Sequence, residues 1–136
     1  MKEITIEATL DNLDKILQFV DEQLEEAGCP MKIQMKIDIA VEEMYVNVAS
    51  YAYAPATGPV TVSVGFEQSP RAVVITFSDR GVPYDPLKKD DPDVTLPAQE
   101  RQIGGLGIFM VKKSMDDMIY RYHRGHNILT IRKKLE

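Results

Sequence analysis

Two runs of alternating residues, Val60, Val62, Val64, Phe66 and then Val73, Ile75, Phe77, stand on either side of Ser69-Pro70. A period of two interrupted by a turn dipeptide is the pattern of two half-buried strands joined as a hairpin. A hairpin pairs its strands antiparallel, so this segment does not belong to a regular strand-helix-strand winding. What precedes it points the same way. Leu13, Ile16, Leu17, Val20 and Leu24 recur at helical spacing, and Gly28 with Pro30 supplies a stop. A second helix is predicted from Met31 to about Tyr51, with Ile33, Ile37, Ala40, Val41, Met44 and Val48 as its apolar stripe.

The remaining elements complete the layout. Ile4, Ile6 and Ala8 share one face of a short first strand. Arg80 to Ile103 carries prolines and aspartates without periodicity and reads as a long loop, of a length that usually has a function or no fixed structure. Leu106, Phe109, Met110 and Val111 begin a third helix that should end near Met115 or Asp117. Two last strands, Met118 to His123 and Asn127 to Lys133, are expected around a Gly125-His126-Asn127 turn, with His123 and His126 as exposed turn residues. The expected fold class is α+β: a two-layer sandwich of a mixed, mostly antiparallel sheet with helices on one face.

Size and composition narrow the function. With 136 residues the chain is expected to form a single domain spanning 1–136. Sixteen Lys and Arg against 21 Asp and Glu leave a net charge of −5, which argues against coating nucleic acid. Cys29 is the only cysteine, so neither an intrachain disulfide nor a cysteine zinc cluster is available, and a reducing compartment is the natural one. The first residues interleave charge with apolar side chains and lead into no long apolar run, so the expectation is a cytoplasmic protein without a membrane span.

Three short motifs stand out. Glu43 and Asn47 lie four residues apart on the second helix, one turn from each other on a shared face. A carboxylate there can take a proton and a carboxamide can hold a metal ion, although both also read as ordinary helix-surface residues. Asp79 leaves the strand that ends in Phe77 and is followed by Gly81, so its carboxylate can meet a flat ligand where glycine lets backbone come close. The same tripeptide is also a common turn. Gly104, Gly105, Leu106 and Gly107 open the third helix, where bare N–H groups and the helix dipole favour a phosphate chain. A flexible hinge is the plainer reading.

Together, in this order, the motifs resemble the GHKL family, the ATPase fold of gyrases, chaperones, histidine kinases and mismatch-repair proteins. The resemblance is nearer still to the small bacterial anti-sigma-factor serine-protein kinases. It runs through Glu43, Asn47 and Tyr51-Ala52-Tyr53, through Asp79 to Pro86, through Gly104 to Val111, and through the closing strands from Tyr120 to Lys133. It implies ATP as ligand, with Asn47 holding Mg²⁺, Asp79 accepting from the adenine amino group, and the glycine backbone cradling phosphates. It also implies Glu43 as general base, Thr130 as a hydroxyl near the adenine, and a mobile lid at about 87–103 in which Arg101 could reach a phosphate. Tyr51 stands where many relatives carry His.

The function so implied is a protein serine kinase and anti-sigma factor, with a sigma factor and a small antagonist protein as partners and a homodimer as the expected assembly. The alternative is an ATP-dependent binding module without kinase activity. An isolated histidine-kinase catalytic domain fits less well, because the phospho-acceptor helix is absent and those enzymes do not generally use a base such as Glu43.

Overall fold

The computed structural model describes residues 1–88 and 105–136. Five strands, β1 (Lys2–Glu7), β2 (Pro59–Glu67), β3 (Ala72–Asp79), β4 (Asp117–His123) and β5 (His126–Lys134), form one sheet in the order β1-β2-β3-β5-β4. All four pairings are antiparallel, so the sheet expected to be mixed contains no parallel pair among the described residues. Three helices, α1 (Leu13–Glu26), α2 (Met31–Tyr51) and α3 (Gly105–Ser114), complete the fold.

The alternation read from the sequence decides which face of the sheet is covered. Val60, Val62, Val64, Val73, Ile75, Phe77, Leu129 and Ile131 are buried, and they meet Ile16, Val20 and Leu24 of α1 and Ile37, Ala40, Val41 and Met44 of α2 in a single core. Each side chain of this kind contributes about 1.5–3 kcal/mol when fully buried. The other face carries short polar residues paired strand to strand. The Thr5 and Thr61 hydroxyls lie 2.8 Å apart, and those of Thr76 and Thr130 3.4 Å apart.

Helix ends follow local chemistry. Gly28, at φ +74°, ends α1 with a Schellman pattern in which Cys29 N–H reaches the Leu24 carbonyl at 2.9 Å. Fully buried Tyr45 on α2 gives its hydroxyl to the Thr9 carbonyl at 2.6 Å, which ties the chain after β1 to that helix. The last hairpin differs from expectation. Its turn is Arg124-Gly125, both at positive φ (50° and 81°), as a two-residue type I′ connection requires. His126 and Asn127 therefore already belong to β5, where His126 pairs with His123 and Asn127 with Tyr122. His126 is half-buried and accepts from Arg80 Nε at 3.2 Å.

Between α1 and α2, the Oδ1 atoms of Asp21 and Asp38 are both buried, and apart from each other these acids have no donor to those atoms among the described residues. Burial first, then a hydrogen bond with Asp21 and the charges of Asp21 and Glu25, push the Asp38 carboxyl up to about 8. Two carboxyl groups can hydrogen-bond only if one keeps a proton, so the pair favours retention of a proton on Asp38. Cys29 lies close enough to Asp38 to feel its charge, and Arg71 lies beside Cys29.

An unfolded Asp carboxyl titrates near 4, so between about pH 4 and pH 8 the folded chain holds a proton that the unfolded chain has lost. Stability contributed by this pair is therefore full below about pH 4 and is lost as pH climbs through about 8. Asp38→Asn supplies a permanent donor to Asp21. Its melting temperature should exceed that of the native chain by about 3–4 °C at pH 8, the worth of roughly one hydrogen bond, and the gap should close towards pH 4. Thermal melts by circular dichroism across this range check it.

Candidate nucleotide site

β3 is the central strand, and its last residue, Asp79, is buried. A buried carboxylate needs donors, and two are supplied at Oδ1: Gly81 N–H at 2.8 Å and Asn127 Nδ2 at 2.9 Å. Oδ2 has no hydrogen-bond donor among the described residues. The backbone at Gly81 is pressed against α2. A Cβ at this position would lie 2.0 Å from the Ala52 carbonyl oxygen, the same oxygen that accepts Val82 N–H at 2.9 Å. Glycine is thus required here by close approach.

Asp79 forms part of the floor of a narrow, largely apolar cleft that opens to the surface. Met44, Val48, Phe77 and Leu129 supply apolar walls, Asn47 projects from α2, and Tyr51, Tyr84 and Tyr120 edge it. The Tyr51 and Tyr84 rings meet at 5.6 Å and 34° across the rim. Tyr53 secures the neighbouring turn, giving its hydroxyl to the Pro59 carbonyl at 2.5 Å and accepting Arg80 N–H at 2.8 Å.

Glu43 lies one turn before Asn47 and is half-buried, whereas Glu42 is exposed, so Glu43 is the inward member of the pair. Its carboxylate rests against the start of α3. A Cβ added to Gly107 would come within 2.2 Å of Glu43 Oε2, a separation only glycine permits without moving the acid. Gly105 is the first residue of α3, followed by Leu106, while Gly104 lies outside the described residues. So does the expected lid apart from Leu87 and Lys88, which sit in a short 3₁₀ turn, Pro86–Lys88. Arg101 lies outside as well.

The structure therefore brings Asn47, Asp79 and Gly81 together around one cleft, and Glu43 together with Gly107 beside it. Thr130 is not brought to them. It lies between inward-facing Leu129 and Ile131, so it points to the opposite face of the sheet and meets Thr76 there.

One residue of the site was missed. Asn127, expected where the last turn meets the final strand, is buried and pairs directly with Asp79 across β3 and β5. Its Nδ2 donates to Asp79 Oδ1, to the Val82 carbonyl at 2.9 Å and to the Gly81 carbonyl at 3.3 Å. Its Oδ1 accepts Tyr84 N–H at 3.2 Å and a hydrogen bond from the Tyr120 hydroxyl. Burial pushes the Tyr120 phenol up, which keeps it a donor. The available signal was parity: Asn127, Leu129 and Ile131 share one face, so a polar residue had been placed on the core side.

A buried acceptor at the end of an apolar cleft fits a flat base that offers N–H groups, and bare helix-start backbone fits phosphate. Among the described residues no group of three or more His, Cys, Asp or Glu is placed to hold a metal ion. A single carboxamide such as Asn47 suits Mg²⁺, which keeps most of its ligands as water and phosphate. No helix among the described residues is long and apolar enough to cross a membrane.

An antiparallel sheet with helices on one face and a cleft between α2 and the end of β3 defines a protein of the α+β class with one candidate ligand site there. The sequence pattern of the histidine kinase-like ATPase domain matches residues 6–133, and the chain belongs to that family. It is similar to the serine/threonine-protein kinase BtrW of Bordetella bronchiseptica, 25% identical over 100 residues that cover 74% of this chain and 70% of that protein. It is also similar to the serine-protein kinase RsbW of Bacillus cereus, 25% identical over 95 residues, 67% of this chain and 58% of the relative. The solved structure of the RsbU and RsbW domains of Rv1364c from Mycobacterium tuberculosis shares the fold, with a TM-score of 0.64 at 16% identity over 99% of this chain and 33% of that one.

Removing the Asn127 side chain strips one donor from Asp79 and unties the two carbonyls behind it. Asn127→Ala should cost about 1–3 kcal/mol, the penalty for a buried group left unpaired, and should loosen the cleft. Urea unfolding of both chains, followed by titration with a fluorescent adenine nucleotide, measures the two effects.

Proposed function

We propose that the chain is an ATP-dependent protein serine kinase that also acts as an anti-sigma factor, binding a sigma factor and phosphorylating a small antagonist protein. The observation that carries the reading is the placement of Glu43 and Asn47 on successive turns of α2, with Gly107 of α3 against the Glu43 carboxylate. The names of the relatives, two of them serine or serine/threonine kinases, support the same class.

In this reading ATP supplies the transferable phosphoryl group. Asp79 presents Oδ2 to the amino group of the adenine, held in aim by Gly81 and Asn127. The backbone at Gly104, Gly105, Leu106 and Gly107 receives phosphate oxygens, and the Asn47 carboxamide oxygen holds Mg²⁺. Glu43 takes the proton of the attacking serine hydroxyl. Phosphoryl transfer rests mainly on positioning and charge neutralisation, so a base, one metal-holding side chain and a backbone cradle form a sufficient set.

Calorimetry with ATP and Mg²⁺ separates binding from catalysis. Asp79→Asn exchanges the charged acceptor for an amide and should weaken ATP by about tenfold or more, as expected for a hydrogen bond to a charged group. Glu43→Gln should keep nucleotide affinity while lowering phosphoryl transfer by about 10²–10⁴. Transfer unchanged in Glu43→Gln would remove Glu43 as base, and no binding at millimolar ATP would remove the nucleotide reading itself.

A further inference from the structure

Met31, Met35, Ile39, Glu43, Asn47 and Tyr51 follow one another at intervals of four along α2 and form a single ridge on the helix surface. Its C-terminal half carries the candidate base, the Mg²⁺ ligand and a rim tyrosine of the cleft. Its N-terminal half is apolar and open: Met31, Met35 and Ile39 are 66%, 59% and 56% exposed. A globular helix normally turns such residues inward, as α2 does with Ile37, Val41 and Met44 on its other side. Met110, in the turn of α3 after Gly107, adds another exposed apolar side chain on the neighbouring helix.

We propose that the N-terminal half of this ridge is the docking surface for the protein on which the site acts, and that the docking segment carries apolar side chains flanked by carboxylates. This rests on the reading of Glu43 as the base for a protein hydroxyl. A partner seated on Met35 and Ile39 is delivered one helical turn from Glu43. Its charge follows from Lys32 and Lys36, both exposed and lying along the ridge in a chain whose net charge is −5. A locally basic margin on an acidic protein selects an acidic partner. A second copy of this chain docked antiparallel is disfavoured, because that two-fold contact sets the lysine flank of the ridge against the same flank of the other copy. Methionines suit such a surface, since flexible thioethers adapt to the partner's shape.

The test is selection of a displayed random-peptide library on the immobilised native chain with ATP and Mg²⁺, with binding then measured by calorimetry. Enriched peptides should carry apolar residues at helical spacing with adjacent Asp or Glu. Their affinity should fall about tenfold or more for the Met35→Glu, Ile39→Glu double variant while ATP affinity stays within about twofold. The Lys32→Glu, Lys36→Glu variant should reverse the charge preference of the selected peptides. Peptides that bind the double variant equally well overturn the proposal, as does a native dimer in sedimentation that the double variant converts to monomer. Because the readout is binding, the two readings fail separately. A chain that docks its peptide and transfers nothing to it counts against Glu43 as base, whereas transfer to peptides indifferent to the ridge counts against the docking surface.

Discussion

Burying the Asp79 carboxylate at the end of the central strand costs several kcal/mol unless its oxygens find donors. The surrounding structure is arranged around meeting that demand on one side only. Gly81 and Asn127 both donate to Oδ1, and Asn127 is in turn held by Tyr84 and Tyr120. The network draws together β3, β5, β4 and the turn after β3, so the polar floor of the cleft rests on three strands at once. A half-satisfied acid of this kind is stable in aim because its partners are themselves fully engaged. Asp79 Oδ2, without a donor among the described residues, gives the cleft an acceptor for an incoming N–H.

α2 is the second constraint. It lies between α1 and α3 over the sheet and has to serve three surfaces at once: the core, the cleft and the outside. Helical spacing lets it do so without compromise, because residues four apart drift only slowly around the axis. Ile37, Ala40, Val41 and Met44 fill the core, while the neighbouring ridge turns gradually from solvent at Met31 to the cleft at Asn47 and Tyr51. An apolar approach and a polar site thus belong to one row of side chains.

Much of the fold was legible because its signals are local. Period two in β2 and β3, and period 3.6 in α1 and α2, placed those elements within a few residues of where they stand. At the candidate site, Glu43, Asn47 and Asp79 stood out in the sequence by their chemistry, and the structure places Asn47 and Asp79 around one cleft with Glu43 one helical turn before Asn47. What escaped required knowledge of pairing. Asn127 joins the site only because β5 lies beside β3 in a register that sets it opposite Asp79. A sequence that places Asn127 at the start of a strand does not say which strand lies beside it. Thr130 failed for the converse reason, since its hydroxyl is suitable but its parity in the strand sends it to the other face.

The two site glycines that are described in full answer different demands, and the difference separates fold from chemistry. At Gly81 the obstructing atom is the Ala52 carbonyl oxygen, fixed backbone at the end of α2, so any side chain has to displace the turn that carries Asp79. At Gly107 the obstructing atoms belong to the Glu43 carboxylate, the far end of a flexible side chain. A methyl group there can be accommodated by rotating the acid away, at little cost to folding. The absence of a side chain at Gly81 therefore maintains the shape of the cleft, whereas its absence at Gly107 maintains the position of one carboxylate. A glycine whose effect on folding is slight and whose effect on a single acid is large lets α3 come close to Glu43 without displacing its carboxylate.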